Sequence, residues 1–253
     1  MVWIKKWGII YKSLAIVLIL IVVRVIVDYL GLDTLPINPV VGAFITGAIF
    51  TIAIIFSGTF IDYKESEKIG GEMCSSLKAL YNDTIVIPLE NEAPLATARS
   101  HIRELLHEIL SSFKNNAWDI SAINRAMDLI NDDIRTLARL NVAPPQIVKL
   151  RVEMGTLDKL VNRVDVIIRT EFIPAAYAIA EVATAGVILV LLFVKIDPTI
   201  DGVVMFAVIS IMLIALIFLI KDMDNPFEFG QNTYADVDIQ LLVDLETYFA
   251  GRP

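Results

Sequence analysis

Four long apolar stretches constrain the fold of this chain more than any other feature. They cover residues 13–30, 40–61, 173–194 and 203–220. Each is close to the roughly 20 apolar residues that a helix needs to cross a hydrocarbon layer about 30 Å thick. Because lipid offers no partner to free backbone polar groups, stretches of this kind are expected to be helical. The sequence therefore predicts four transmembrane helices.

The first stretch also resembles the apolar part of a signal peptide, because lysines precede it. No small-x-small cleavage site follows it, however, and a second full-length apolar stretch begins at residue 40. A removable signal would be followed by such a site and would not need a second span beside it. We therefore interpret residues 13–30 as the first transmembrane helix.

Basic residues in the flanks predict the orientation of the spans. The loops 31–39 and 195–202 hold one basic residue between them, Lys195, together with three aspartates. The other flanks carry Lys5, Lys6 and Lys12 before the first span, and Lys64 and Lys68 after the second. Since cytoplasmic flanks are enriched in Lys and Arg, both short loops are expected outside and both termini in the cytoplasm.

The middle of the chain reads as a soluble helical domain. Apolar residues at helical spacing predict helices over 62–81, 95–115 and 121–140, with Ser121 as the N-cap of the last, and a long helix from about residue 145. Prolines predict a loop at 87–94 and a break at 141–145. No strand pattern is present. The prediction is an all-α membrane protein with a helical cytoplasmic domain inserted between transmembrane helices 2 and 3.

This interpretation divides the chain into four segments. Residues 1–61 form the N-terminal segment with helices 1 and 2, residues 62–170 the cytoplasmic domain, residues 171–220 helices 3 and 4, and residues 221–253 a cytoplasmic tail with a short helix over 238–249.

Composition excludes several classes of function. A net charge of −8 without a basic cluster argues against nucleic-acid binding. The single Cys74 cannot form an internal disulfide, and with only His101 and His107 the chain shows no metal-ligand spacing. We find no catalytic grouping and no phosphate-binding glycine loop. The sequence therefore predicts neither an enzyme nor a metal or cofactor site.

Charged residues inside spans are costly and often functional. Arg24 and Asp28 lie four residues apart, so they share a helix face and can pair; the alternatives are a hydrated path and a position near the outer interface. Glu181 lies in the third span, where it either faces an aqueous path or marks a span that begins later.

The second span has two distinct faces. One is a stripe of small and hydroxyl residues that includes Ala43, Gly47, Thr51 and Gly58, which permits close helix packing. The other carries Phe and Ile side chains, which would form a hydrophobic constriction if they surrounded a pore. The sequence leaves open which face would line one.

The segment after the fourth span ends in Asn225, Pro226 and Phe227. Because proline fixes its own φ and disfavours helix at the preceding residue, we expect an ordered turn here. The alternative is a solvated tail.

Three features of the sequence resemble the bestrophin superfamily, most closely its prokaryotic bestrophin-like branch of unknown function. The second span runs into a charged helix at 60–67, a long helix leads into the third span at 163–174, and Met-Asp-Asn-Pro-Phe follows the fourth span at 223–227. Two features differ from the family. Residues 228–232 interrupt the acidic run that would bind calcium, and Asp62-Tyr63-Lys64 replaces a pair of tryptophans.

The resemblance implies a homopentamer with a central pore lined by the second span. By position, the pore-lining candidates are Ile49, Phe50, Thr51, Ile54, Ile55, Phe56 and Gly58. The expected function is an ion channel in the plasma membrane of a prokaryote that conducts anions such as chloride, with the lipid bilayer and inorganic ions as its partners.

Two alternatives stay open. A cation channel of the same architecture would use the acidic residues below the second span, which are Asp62, Glu65, Glu67 and Glu72. A non-conducting membrane protein would use the helical domain for docking or signalling.

Overall fold

The computed structural model of the chain describes residues 2–170, 173–230 and 233–252. Glu171 and Phe172, at the predicted start of the third segment, lie outside the described residues, as do Gln231 and Asn232 of the predicted tail. The described part contains eight helices and no strand, which confirms the all-α class. They are α1 (Val2–Tyr29), α2 (Pro39–Val86), α3 (Ala93–Lys114), α4 (Ile120–Arg139), α5 (Pro144–Arg169), α6 (Pro174–Phe193), α7 (Thr199–Asp224) and α8 (Gln240–Ala250).

Four of these helices are long and apolar enough to cross a membrane, namely α1, α2, α6 and α7. The predicted third span matches α6 to within a residue at each end. The first helix begins well before residue 13, because the basic leading segment is itself helical, and α7 extends beyond 203–220 at both ends. Hydropathy marks the apolar part of a helix, not the turns of polar residues that continue it.

The predicted continuation of the second span into a charged helix is confirmed. α2 is a single helix of 48 residues. It ends at Val86, two residues before Pro88, where a helix is expected to stop because proline disfavours the helical conformation in the residue before it.

The chain forms two compact units, which we describe separately. The span unit comprises Met1–Tyr63, Glu171–Asp224 and Asn232–Ala235, and the helical unit comprises Lys64–Thr170, Asn225–Gln231 and Asp236–Pro253. In the span unit α1 packs against α6 and α7, and α6 packs against α7. In the helical unit α3 packs against α4 and α8, and α4 packs against α5.

The span unit covers little of its own apolar surface. Its buried core is a short set of residues from α2, α6 and α7, namely Ala48, Ile52, Ala180, Val187, Leu191, Phe206, Leu213 and Ile220. In the most apolar part of each span, only between 11% and 28% of the residues are buried. Lipid or other subunits must cover the rest.

The helical unit has a larger core built from amphipathic helices. The apolar residues whose helical spacing predicts a helix over 95–115 lie on the buried inner face of α3, including Ile102, Leu105 and Ile109. Met73 and Leu77 of α2 are fully buried in the same core. Burial of this kind is the main favourable term in the folding of a soluble domain.

The predicted N-cap of α4 is wrong by two residues. Asp119, not Ser121, caps the helix, and its Oδ1 accepts hydrogen bonds from the backbone N–H groups of Ser121 (3.0 Å) and Ala122 (2.9 Å). Both residue types favour N-cap positions, so the sequence pattern alone did not separate them.

Candidate pore face and the charged residues of the spans

The part of α2 that belongs to the span unit has one covered and one uncovered face. Ala48, Ile52 and Thr59 are 8%, 0% and 1% exposed, and Ala48 and Ile52 belong to the buried core that α2 shares with α6 and α7. Phe50 and Ile54 lie on the opposite side and are 65% and 58% exposed. The chain therefore leaves an apolar face of α2 without partners from its own described residues.

The seven predicted pore-lining residues do not share one face. Phe50 and Ile54 are on the uncovered face, and Thr51 and Gly58 are half-buried. Ile49 lines a separate apolar groove formed with residues of α1 and α7. The remaining two, Ile55 and Phe56, pack against the core of the span unit.

Within the stripe of small residues on α2, Gly47 has open space beside it. A Cβ added at Gly47 would meet no atom within 4 Å outside its own stretch of helix. The Thr51 hydroxyl donates to the Gly47 carbonyl at 2.9 Å, so its hydrogen bond stays within the helix. The open space at Gly47 leaves room for close packing by another helix.

Arg24 is a fully buried side chain that binds the end of another helix. It is 1% exposed, and its guanidinium donates to the carbonyl oxygens of Leu191 (3.1 Å), Leu192 and Val194 (2.8 Å). The last carbonyls of any helix lack intrahelical donors and carry partial negative charge. Arg24 therefore caps the C-terminus of α6 from within α1.

Asp28 completes this arrangement. Its Oδ1 lies 3.0 Å from Nη2 of Arg24, as the four-residue spacing predicts. Gly202 provides the space, because a Cβ there would lie 3.4 Å from the same Nη2. These contacts give Arg24 and Asp28 a structural role within the span unit.

Glu181 pairs with Lys221 of α7, and both side chains are about half exposed. They line an open cleft of about 390 Å³ together with Pro174, Tyr177, Ala178 and Asp224. Since α6 begins at Pro174, Glu181 lies within the first turns of the helix and not at its start.

The predicted acidic exit residues are all exposed, and Glu65 and Glu67 lie beside cationic side chains. Glu67 lies 2.6 Å from Lys64, and Glu65 lies 3.2 Å from Arg163 of α5. Asp62 and Glu72 are exposed on α2. The local positive charges offset part of the negative field that these carboxylates would create.

The predicted turn at Asn225, Pro226 and Phe227 is ordered. The Glu228 N–H donates to the Asn225 carbonyl at 3.3 Å, and the Val237 N–H donates to the Pro226 carbonyl at 2.8 Å. Phe227 is 4% exposed and stacks on Phe113, with ring centroids 5.5 Å apart. This segment is part of the helical unit and not a solvated tail.

Solved structures identify the fold. One point-mutant structure of a bacterial bestrophin homolog from Klebsiella pneumoniae matches with a TM-score of 0.80 at 12% identity, covering 96% of this chain and 98% of that one. Another mutant of that homolog matches with a TM-score of 0.75 at 13% identity, covering 97% and 99%. A third structure of it, solved by Zn-SAD phasing, gives 0.74 at 13% identity, covering 96% and 97%.

The chain has the bestrophin fold. The resemblance inferred from the sequence is thus confirmed in its fold and in its coverage of nearly the whole chain. No protein-family model and no curated protein matches the sequence.

An aromatic cluster secures the turn of this bestrophin fold, and sequence reasoning missed it. Phe113 contacts Trp118 at 4.9 Å and Phe229 at 5.8 Å between ring centroids, besides Phe227. The side-chain amide of Asn116 donates to the Phe229 carbonyl (2.6 Å) and accepts from its N–H (2.7 Å). The one feature of the sequence that could have indicated this cluster was an isolated tryptophan in a short loop.

The same unit contains a half-buried contact between a histidine and an aspartate. Nδ1 of His101 lies 2.6 Å from Oδ2 of Asp133, between α3 and α4. Burial raises the pKa of the Asp133 carboxyl, against the opposing effect of the hydrogen bond to His101. Among the described residues, no group of three or more His, Cys, Asp or Glu side chains lies close enough together to hold a metal ion.

Proposed function

We propose that this chain is the subunit of a homopentameric ion channel that conducts anions such as chloride, with α2 lining a central pore. The observation that carries the proposal is the uncovered apolar face of α2 in a chain with the bestrophin fold. Large apolar side chains exposed to this degree are expected to face lipid, a neighbouring subunit or a pore. The family resemblance favours the pore.

Phe50 and Ile54 are the residues that we propose for the neck. They are the two most exposed of the seven candidates, and they lie one turn apart. Five copies of each would form two stacked apolar rings, and such rings restrict ions by excluding water. Ile55 and Phe56 are less suited to this role, because they already pack against other spans.

Anion conduction is supported by the charge balance below the second span. An acidic exit would repel anions, but Glu65 and Glu67 each lie beside a cationic side chain. This reduces the argument for cation selectivity, which rests on Asp62, Glu65, Glu67 and Glu72 as unopposed charges. Cation conduction through the same architecture is the second candidate.

We further propose that the protein lies in the plasma membrane of a prokaryote with both termini in the cytoplasm, because basic residues flank the spans on that side. An enzymatic role is not part of the proposal. Conduction needs a hydrated path in which an ion binds weakly enough to leave again, and it needs no reacting group.

The test is the reversal potential of the purified, reconstituted protein in a planar bilayer across a KCl gradient. A current that reverses near the chloride equilibrium potential is expected. Reversal near the potassium potential would keep the channel and overturn its anion selectivity. The Phe50→Ala variant should increase the current, whereas Val182→Ala, which removes an exposed side chain of α6 (72% exposed), should leave it unchanged.

Absence of current from folded, oligomeric protein would overturn the channel proposal. The result would favour the docking or signalling class, in which the helical unit carries the function. Measurement of the oligomer by mass photometry in detergent separates this outcome from a failure to assemble.

A further inference from the structure

A cavity of about 290 Å³ lies in the helical unit, next to the ordered turn. Its apolar wall comprises the rings of Phe113, Trp118 and Phe227 together with Ile168 at the end of α5. Asn225 and Glu228 contribute polar groups. The cavity is thus bounded by residues from α3, the loop after it, α5 and the turn that follows α7.

Two residues that line this cavity have a buried polar atom without a hydrogen-bond partner in the part of the chain that the structure describes. They are Nε1 of Trp118 and Oδ1 of Asn225. The indole N–H can only donate, whereas the amide oxygen can only accept. Buried polar groups are nearly always paired, so one unpaired donor and one unpaired acceptor on residues that line the same cavity require an explanation.

The cavity is larger than a single water molecule requires. A water occupies roughly 30 Å³ of liquid volume, and small-molecule sites begin at about 300 Å³. Sites of that kind combine apolar and aromatic walls with a few polar groups that orient the ligand. The wall of three rings and the two unpaired atoms match this description.

The polar groups restrict the chemistry of a ligand. An acceptor on the ligand is needed for the Trp118 N–H, and a donor is needed for Asn225 Oδ1. A primary carboxamide provides both in one small group, and its second N–H can reach a further acceptor such as the Glu228 carboxylate.

Charge excludes the closest alternatives. The residues that line the cavity include no basic side chain, and Glu228 is acidic, so a carboxylate ligand would be repelled. An amidine or amine would be attracted by Glu228 but would leave the Trp118 donor without a partner. An uncharged amide meets all three conditions.

We propose that this cavity binds a small uncharged molecule that carries a primary carboxamide on a flat apolar body. The proposal rests on the helical unit alone and does not depend on whether the protein conducts ions. It places a ligand against the turn that follows the fourth span, on residues that the proposed pore does not use.

The test compares three ligands of the same shape on the full chain in detergent micelles. Benzamide, benzoate and benzamidine differ only in the polar group, and ligand-observed NMR measures the affinity of each. Benzamide is expected to bind, benzoate is not expected to bind, and benzamidine is expected to bind more weakly than benzamide. Tighter binding of benzamidine would overturn the carboxamide in favour of a cation.

Trp118→Phe keeps an aromatic ring but removes the N–H. It should lower the affinity for benzamide about threefold to tenfold, because that is the usual effect of losing one neutral hydrogen bond. Trp7→Phe, in the span unit, is the matched control and should change nothing. Ile168→Phe places a larger side chain in the cavity wall, which reduces the cavity volume, and it should abolish the binding of benzamide. Equal affinity of Trp118→Phe and the natural chain would overturn the proposal, as would failure of benzamide to bind a chain whose thermal unfolding is normal.

Discussion

The two units of this chain bury their residues in different ways. The helical unit buries one apolar face each of α3, α4 and α5 in a single core, with ion pairs mostly at its surface. The span unit buries few of its apolar residues, yet it encloses an arginine completely. In water, burial of apolar surface drives folding, but in lipid that driving force between helices is nearly absent.

The difference indicates where each unit obtains its specificity. Apolar contacts hold the helical unit together, so its polar groups can stay in solvent. In the span unit, lipid contacts are as favourable as helix contacts, so a small number of polar interactions must select the arrangement of helices. The cap that Arg24 forms on α6 is the clearest of these among the described residues.

The largest expected effect is that of Arg24→Leu. It leaves Asp28 and the C-terminal carbonyls of α6 without their donor, and it should lower the free energy of unfolding by about 3–5 kcal/mol, the usual effect of breaking a buried charged pair. Unfolding in mixed detergent micelles, followed by circular dichroism, measures it.

Two controls sharpen this prediction. Arg151→Leu makes the same change at an exposed position of the helical unit and should shift stability little. The double variant Arg24→Leu/Asp28→Leu should recover part of the loss, because no charge is then left buried. If Arg24→Leu and Arg151→Leu lowered the free energy of unfolding equally, polar interactions would not distinguish the span unit from the helical unit.

The second expected effect is that of Phe227→Ala in the helical unit. It removes a buried ring from the aromatic cluster and should destabilise that unit by about 3 kcal/mol, as large-to-small changes of a buried Phe do. Proteolysis of the helical unit in the intact protein is the measurement. Phe229→Ala, at a half-buried ring of the same cluster, should cost less; the reverse order would contradict the assigned packing.

The third prediction concerns the uncovered face of α2. Ile54→Ala should increase single-channel current by a few-fold if the side chain narrows a pore, because a wider apolar ring holds water more easily. Its effect on unfolding should be small, since Ile54 is 58% exposed. Ile52→Ala, on the buried face two residues away, should instead lower stability. A current unchanged by Ile54→Ala would indicate that this face contacts lipid or another helix.

The smallest expected effect depends on pH. The pKa of Asp133 is raised by burial, so the folded helical unit binds this proton more tightly than the unfolded chain does. Its contribution to stability is therefore present in acid and is lost as pH rises through the raised pKa. Relative to Asp133→Asn, the natural chain should become less stable as pH rises above about 4, the ordinary pKa of an aspartate.

Urea unfolding at a series of pH values measures the slope of the free energy of unfolding against pH. Ile134→Val, a neighbouring change that does not titrate, should lower stability while keeping the slope of the natural chain. A relative stability that rises with pH would mean that the hydrogen bond to His101 outweighs the burial of Asp133.

Local patterns in the sequence predicted most of the helices. The spans, the continuation of α2 and the inner face of α3 follow from hydropathy and helical periodicity, which depend on residues close in sequence. The N-cap of α4 was misassigned because Asp119 and Ser121 are both suitable caps and lie two residues apart. Such errors concern the ends of elements and not their existence.

The sites depend on distant residues, which local patterns do not reveal. Arg24 is separated by 167 residues from the first carbonyl it binds, and Asn116 by 113 residues from Phe229. The sequence offered seven pore-lining candidates because it could not show which side of α2 the other spans cover. The structure places Phe50 and Ile54 together on the uncovered side, but assembly into a pore stays a prediction.

The position of Arg24 has a consequence for how the protein is made. Its carbonyl partners at Leu191, Leu192 and Val194 are synthesised 167 to 170 residues after it. At about 5–20 residues per second, the interval is on the order of ten seconds or more. Throughout that time the first helix carries a guanidinium with only Asp28 beside it, so the insertion machinery or the lipid headgroups must accommodate the charge. Nascent chains that stop before residue 190 should therefore hold their first helix less firmly in the membrane than the finished protein does.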